Sequence, residues 1–521
     1  MPLDIPAQFN LAAYFLDRPA QEHPSRVAIL GEPAEVRYAE LAELANRAGN
    51  ALRELGCAPG APVLIVLPDS GEFIAAFFGA AKIGAVAVPV NSATRAPDYA
   101  HYLADCGARV ALVHSGALEE FLPAAAGTSL AFIVVVGELP GARHGAAVGA
   151  RLLEWTAWIQ AASPDLPPHP TASHDIAFIL YTSGSGGQPK GAVHQHKDML
   201  VTGRSFAQGV LGLRPDDRTF SVSKLFFAYG LGNGMYFPFS VGATTLLNPE
   251  RTRVEKVLEM VARHRPTVFF AVPTFYAALL READRGAPAD FSSVRLAVSA
   301  GEMLPAEIFE QFRRKFGLEI LDGIGSTEML HMFISNRPGQ ARAGTCGVEV
   351  PNYEARVVDD DSQPVATGEM GNLWVKGQSA FAGYWNNPEL TARARRGDWV
   401  VTGDKFYRDA DGYYHYCGRA DDMMKVAGMW VSPGEVENAL LGHPLVAEAA
   451  VVGSADAVGL VRPVAYVVLR MGAAATSELA GGIQEFVRGR LPSYKRPQEV
   501  RFLDELPKTA TGKIQRFRLR A

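Results

Sequence analysis

The sequence predicts an α/β protein in which a large N-terminal region of two α/β layers carries a small β-rich subdomain and precedes a smaller C-terminal α/β domain. Three observations predict it. From Ala39 onward, amphipathic helical stretches alternate with short apolar runs, the pattern of a parallel sheet flanked by helices. Between Gly344 and Gly418 the helical period vanishes, and short strands bounded by Gly, Asp and Pro take over. Beyond Arg419 the pattern changes again and a separate α/β block begins.

The first alternation reads as a helix near Leu41 to Leu55, a strand from Pro62 to Leu67, a helix from Gly71 to Ile83 and a strand from Ala85 to Val90. Asp175 to Tyr181 is almost continuously apolar, as a strand covered on both faces must be. The second alternation predicts helix Val254 to His264, strand Thr267 to Val272, helix Thr274 to Arg281, strand Val294 to Ser299, helix Ala306 to Phe316 and strand Glu319 to Leu321. Asn372 to Lys376 and Gly412 to Cys417 read as strands of the β-rich unit. In the last block, Ser432, Pro433 and Glu435 are an N-cap, an N1 proline and an N3 glutamate opening a helix to Leu441, followed by strands Val446 to Val452 and Pro463 to Arg470.

A chain of 521 residues exceeds one ordinary hydrophobic core, so several subdomains are expected. Its 48% hydrophobic and 20% charged residues fit a globular protein, and a net charge of -5 gives no polyanion-binding signal, which argues against nucleic acid as a partner. The four cysteines, Cys57, Cys106, Cys346 and Cys417, have neither paired nor metal-type spacing, and reduced thiols in a cytosol are the plain reading. Met1 to Gln8 lacks the basic and apolar regions of a secretion signal. The longest apolar stretch, Phe73 to Val90, contains Lys82, Gly84 and Pro89, and reads as a core helix and strand rather than a membrane span.

Chemistry enters at Tyr181 to Gly191 (YTSGSGGQPKG), where the apolar strand passes into hydroxyls, glycines and one lysine. Gly184 and Gly186 let backbone N–H groups converge on phosphate oxygens, Thr182, Ser183 and Ser185 offer hydroxyls, and Lys190 adds a mobile positive charge. The spacing is not the G-x-x-x-x-G-K-[ST] of kinases and GTPases, and alone it is equally a solvated Gly/Ser turn. Four further segments accompany it: Asp322 to Glu328 (DGIGSTE), Thr402 to Asp404 (TGD), Gly418 to Lys425 (GRADDMMK) and Pro507 to Arg516 (PKTATGKIQR).

In type, order and separation these five segments resemble the signature motifs of the adenylate-forming superfamily, which includes acyl-CoA synthetases, adenylation domains of peptide synthetases and luciferases. The resemblance runs from about Ala39 to Arg516. It implies that Thr182 to Lys190 enclose the phosphates of ATP, Glu328 coordinates Mg²⁺, Thr327 contacts the α-phosphate, and Asp404 with Arg419 holds the ribose. Gly301 and Glu302 would lie beside adenine, and Asp322, Gly323 and Ile324 would belong to the same ATP/AMP-binding set. Lys513 would bridge the substrate carboxylate and the α-phosphate. Read singly, Lys513 is also an ordinary surface lysine, Glu328 an ordinary helix-start acid and Asp404 an ordinary turn residue.

Many members of the superfamily have Tyr-Gly-x-Thr-Glu, with the tyrosine on the adenine, where this chain has Ile324-Gly-Ser-Thr-Glu328; adenine contact is then aliphatic. With Lys224 to Asn233 (KLFFAYGLGN) and Glu328 to His331 (EMLH), this looks like the benzoate-CoA ligase branch. That branch would place Ala228, Tyr229, Gly230, Gly325, His331 and Met332 around the acid. Phe226, Phe227 and Tyr229 read equally well as core, and His331 as a satisfied buried histidine. Lys425, Gly428 and Trp430 correspond to the loop that forms the pantetheine tunnel in CoA ligases, and Asp421 to the hinge between residues 1–420 and a mobile C-terminal domain, 421–521. Neither Gly428 nor Trp430 separates free CoA from a carrier protein bearing the same arm.

The expectation is therefore an aryl-CoA ligase: ATP, Mg²⁺ and a small aromatic acid, benzoate or an amino- or hydroxybenzoate, give aryl-AMP, and coenzyme A then takes the aryl group. A second reading loads a separate acyl carrier protein, and a third is a nucleotide-binding protein without catalysis.

Overall fold

The computed structural model describes residues 3–31, 35–139, 149–183, 188–426, 429–455, 461–470, 472–508 and 514–520, with the side chains of Ser183 and Trp430 outside that description. Two large sheets dominate. One has eight strands in the order Gly383–Tyr384, Pro189–Gln195, Ile176–Ser183, Val86–Pro89, Pro62–Val66, Val110–His114, Phe132–Val136, Arg151–Glu154. The other has nine, running from Val348–Glu349 through Met332–Ser335, Ile320–Gly325, Leu296–Ser299, Val268–Ala271, Arg218–Ser221, Thr244–Leu246 and Val27–Leu30 to Val36–Arg37.

The centres of both sheets are parallel, as the alternating pattern requires, but their ends are not. Ile176–Ser183 and Pro189–Gln195 form an antiparallel hairpin, and Ile320–Gly325 turns back antiparallel onto Met332–Ser335. Both reversals bring loop residues to the same region, where the candidate site lies. The strand expected at Glu319 to Leu321 extends to Gly325, because the returning strand supplies partners such as Ile334 for Ile324.

Local physics accounts for the elements that match. Ala177, Phe178, Ile179 and Leu180 are at most 1% exposed, the two-sided burial behind their apolar run. Helix Gly71–Lys82 starts where Ser70 Oγ accepts the Phe73 N–H at 3.3 Å. It crosses helix Tyr38–Glu54 at Gly49 and Gly79, where a Cβ on Gly79 would lie 2.8 Å from the Ala45 carbonyl oxygen. That helix starts at Tyr38 rather than Leu41, since Glu40 accepts the Arg37 N–H at 2.8 Å and caps the earlier turn. Lys82 is buried but bonded to Asp17 at 2.7 Å and Asn46 at 2.6 Å, so its charge is compensated inside the apolar stretch. Helices Val254–His264 and Ala306–Phe316 have the expected bounds, and each stops at a left-handed residue, Arg265 (φ 49°) and Gly317 (φ 70°).

The β-rich unit is a five-stranded sheet of Tyr353–Val358, Gly371–Gly377, Trp399–Arg408, Arg395–Arg396 and Tyr414–Arg419. After it, hairpin Met424–Val426/Met429–Val431, helices Pro433–Leu441 and Ser477–Arg488, and the three-stranded sheet Val446–Ala455, Val461–Leu469, Glu499–Phe502 build two apolar clusters of their own, drawn only from residues 424 onward. Ser432 caps the Pro433 helix by accepting the Glu435 N–H at 3.2 Å. This block meets the N-terminal part through helix Pro433–Leu441, which lies against strand Tyr414–Arg419 and helix Ala306–Phe316, with Gly434 and Asn438 against Met303, and through Arg281 to Glu448 at 3.3 Å. Among the described residues no helix is long and apolar enough to cross a membrane, and all four cysteines are free and buried.

Candidate active site

The glycine-rich segment begins and ends on the paired strands Ile176–Ser183 and Pro189–Gln195. Their register sets Thr182 opposite Lys190, so both stand at the loop's base on neighbouring strands. Gly184, Ser185 and Gly186 lie outside the described residues. Below the loop the Tyr181 hydroxyl donates to Asp105 Oδ2 at 2.6 Å, anchoring the strand.

Lys190 meets Glu328 across the cleft, with Nζ 3.5 Å from Oε1. Between them stands Tyr384, which the sequence reading missed. Its hydroxyl accepts from Lys190 Nζ at 2.5 Å and donates to Glu328 Oε1 at 2.5 Å. Burial opposes ionisation of Glu328, yet Lys190 and the Tyr384 hydroxyl outweigh it and hold the carboxyl below its ordinary value. Burial first, and the Glu328 charge second, push the Tyr384 phenol up, so it stays a donor.

The turn carrying Thr327 and Glu328 is tied down from several sides. His194 Nε2 donates to the Thr327 carbonyl at 2.8 Å, and its other nitrogen contacts Asp198 Oδ2 at 2.9 Å. Asp198 is held in turn by Lys197 at 2.9 Å. Phe381 N–H donates to the Glu328 carbonyl at 2.8 Å, and the Ser379 hydroxyl to that of Met329 at 2.9 Å. Leu330, fully buried, takes φ 67°, a conformation few non-glycine residues adopt, and so reverses the chain toward His331.

His331 is the other end of this turn. Its ring packs against Phe237 at 4.5 Å, Phe206 at 5.2 Å and Tyr229 at 5.4 Å between centroids, and Nε2 lies 3.2 Å from Asn233 Oδ1. Burial pushes its pKa down to about 3, so the imidazole is neutral at ordinary pH. Tyr229 reaches the Val298 carbonyl at 3.2 Å. Ala228 opens the short helix Ala228–Leu231, and the loop before it is fixed by Lys224 Nζ on the carbonyls of Asn248 at 2.5 Å and Glu250 at 2.7 Å. Met332 is 1% exposed and packs beneath Gly323.

The glycines here are close approaches. A Cβ on Gly230 would lie 2.1 Å from the Lys224 carbonyl oxygen, and one on Gly325 would lie 2.6 Å from the His331 carbonyl oxygen and 2.8 Å from the Met332 nitrogen. The obstructing atoms are backbone and cannot rotate away. Gly325→Ala is therefore expected to displace the 327–331 turn and lower activity on an aromatic acid by about tenfold or more, a 1 Å misplacement being sufficient for that. Steady-state kinetics alongside a melting curve check it; wild-type kcat/KM in the variant would contradict it.

Asp404 and Arg419 face each other in paired strands, with Arg419 Nη1 3.3 Å from Asp404 Oδ1 and 2.9 Å from the Thr402 carbonyl. Gly301 (φ 96°) and Glu302 follow strand Leu296–Ser299 directly. Asp322 is buried behind them. Burial pushes its carboxyl up to about 8, outweighing the opposing pull of polar neighbours at Ser299, Leu304 and Gly323. Ile324 is half-buried against the main core.

The C-terminal candidates are less gathered. Lys425 is exposed and pairs with Trp430 in the hairpin; Gly428 and Lys513 lie outside the described residues, as does the Trp430 side chain. Asp421 is exposed in the turn after Arg419, and its carbonyl accepts from Arg520 at 3.3 Å. Tyr384 and His194 carried no motif signal, and Asn233 closed the quoted Lys224 to Asn233 segment without a role, because the bonds that matter here, to Lys190 and Glu328, to Thr327 and to His331, come from partners distant in the chain.

Residues 16–385 match the family described as AMP-binding enzyme, and residues 435–513 match the AMP-binding enzyme C-terminal domain. The chain is 42% identical to a benzoate-CoA ligase of Thauera aromatica, over 100% of this chain and 97% of that protein. It is 38% identical to an anthranilate-CoA ligase of Pseudomonas aeruginosa, over 89% and 87% of the two chains. Its fold superposes with a TM-score of 0.93 on a crystal structure of an anthranilate-CoA ligase in complex with anthranoyl-AMP, at 40% identity over 99% of this chain and 97% of that one.

Proposed function

The chain belongs to the AMP-binding enzyme family and is an adenylate-forming acid-thiol ligase, and from that premise we propose that it joins benzoate or a ring-substituted benzoate to coenzyme A through an aryl-AMP intermediate. One observation carries this reading: a single turn brings Glu328 to within 3.5 Å of Lys190 at one end and sets the His331 ring against that of Tyr229 at the other. A charged cluster suited to phosphates thus adjoins a group of aromatic rings against which a flat ring could stack.

In the first half-reaction the substrate carboxylate attacks the α-phosphorus of ATP and pyrophosphate leaves. Thr182, Ser183 and Lys190, with the Gly184 to Gly186 loop, would hold the phosphates; Thr327 would contact the α-phosphate, and Lys513 would meet both reacting groups. Asp404 with Arg419 would hold the ribose, with Gly301, Glu302, Gly323 and Ile324 around the adenine and Asp322 behind that wall. The lone Glu328 carboxylate fits Mg²⁺, which takes one or two protein carboxylates and draws its other oxygens from substrate phosphates and water; bound there, Mg²⁺ would neutralise phosphate charge. Because His331 is neutral, the ring would be oriented by shape and stacking, and the acid's charge left for Lys513. In the second half-reaction the CoA thiol displaces AMP, with Lys425, Gly428 and Trp430 lining its approach. We place the domain boundary at Asp421 and the enzyme in the cytosol, where its four free cysteines would stay reduced.

A panel of acids assayed for ATP-dependent CoA thioester formation tests the reading. Benzoates are expected to react and octanoate to be poor, because Phe227, Ala228, Tyr229 and Gly230 sit where a long acyl tunnel would need room; comparable kcat/KM for octanoate and benzoate would refute it. Ala228→Trp should abolish benzoate turnover by filling the pocket while ATP binding persists. Thioester formed only on an added carrier protein would shift the acceptor away from free CoA.

A further inference from the structure

Tyr384 is unused in the chemistry above, yet it is the hub of the charged cluster. We propose that it is a positioning residue for adenylation, whose phenol aims the Glu328 carboxylate and keeps Lys190 apart from it so that both can receive magnesium-bound ATP. The inference rests on the ligase reading and concerns a residue which that reading leaves without a role.

The geometry begins with strand pairing. Tyr384 is the partner of Ala192 in the antiparallel pair Gly383–Tyr384/Pro189–Gln195. Lys190 lies two residues before Ala192, so its side chain and that of Tyr384 leave the sheet on the same face. Lys190 Nζ consequently sits 4.1 Å from the Tyr384 ring centroid and 2.5 Å from its oxygen. The tyrosine is itself immobilised: its N–H donates to Thr391 Oγ1 at 2.8 Å, its ring packs on Phe381 at 4.8 Å, and the next residue, Trp385, donates its indole N–H to the Asp105 carbonyl at 3.0 Å. It is 7% exposed.

A phenol has one proton to donate and lone pairs to accept, and both are engaged: it donates to Glu328 and accepts from Lys190. Lys190 and Glu328 therefore stand 3.5 Å apart, beyond the roughly 2.7–2.9 Å of a direct charge-assisted contact. Without the hydroxyl, the two charges can close into such a contact. An incoming nucleotide would then have to break an ion pair before Lys190 could turn to a phosphate and Glu328 to the metal. With the hydroxyl present, Lys190 leaves a neutral acceptor, and Glu328 keeps one oxygen fixed.

Tyr384→Phe retains the ring, its packing and the cation-facing surface, and removes only the hydroxyl. MgATP binding, measured by calorimetry without any acid, is expected to weaken by about tenfold, the scale of one hydrogen bond to a charged group, and the Mg²⁺ concentration for half-maximal pyrophosphate release to rise. Thioester formation from supplied aryl-AMP should stay within about twofold of wild type, and the melting temperature should be retained. Unchanged MgATP affinity and Mg²⁺ requirement would overturn the proposal, as would equal loss of both half-reactions. Since the binding measurement needs no acid, it stands apart from the wild-type test with benzoate, whose failure would instead count against the ligase reading.

Discussion

Replacing Lys513 with alanine is expected to slow aryl-AMP formation by about 10²- to 10³-fold, the usual cost of removing a preorganised group aimed at charge that develops in a transition state. The carboxylate and the α-phosphate both bear negative charge, and they must approach to bonding distance. A cation between them is worth most during that approach. The Tyr229, His331 and Phe237 side of the pocket cannot supply it, because His331 is neutral. Lys190 is engaged with Tyr384 and Glu328, where the distal phosphates and the metal would lie. Once aryl-AMP exists, that charge problem is past, and transfer to CoA from supplied aryl-AMP should survive much better. Pyrophosphate release and thioester formation, measured separately on the variant, check this; equal loss in both would refute the division of roles.

Asp421→Pro is expected to have the second largest effect, and on the opposite half-reaction. Lys513 and the Gly428 loop both follow Asp421 in the chain, and in the proposed mechanism each would have to reach the same acid, one for adenylation and one for thiol attack. One rigid pose is ill suited to both, so we propose that residues 422–521 rotate about Asp421. The block has a property such a rotation needs: its own apolar clusters from Met424 onward, which let it move as a unit. Asp421 sits exposed in a turn, where a change of φ and ψ displaces no core side chain. Proline would fix φ near about -65° and restrict the swing. With the block held in the adenylating pose, benzoate-dependent pyrophosphate release persists while CoA thioester formation falls sharply. A variant with both rates near wild type would move the hinge elsewhere.

How legible each part was depends on where its partners lie. Strand Ile176–Ser183 was legible because burial on both faces writes a continuous apolar run, and helices Val254–His264 and Ala306–Phe316 because one apolar face and a left-handed stop mark them locally. Strands Arg218–Ser221 and Thr244–Leu246 went unseen. They are short, and their buried Thr219 and Thr245 break the apolar signal that marks a core strand. Among the site residues, Thr182, Lys190, Thr327, Glu328, Asp404 and Arg419 announced themselves through motifs whose members are close in sequence.

The sequence by itself determined the adenylate-forming family, the alternating α/β architecture and the β-rich unit, and it nominated the groups proposed to handle ATP, since these are written in local periodicity and short motifs. Only the tertiary structure decided how those groups are held. Tyr384 stands 194 residues from Lys190 and 56 from Glu328, His194 lies 133 from Thr327, and Asn233 lies 98 from His331. Tyr384 meets Lys190 by strand pairing inside the eight-stranded sheet, while its bond to Glu328 and that of His194 to Thr327 join that sheet to the turn after Ile320–Gly325 in the other; a hydrogen bond between residues so far apart leaves no periodicity or spacing in the chain that makes it.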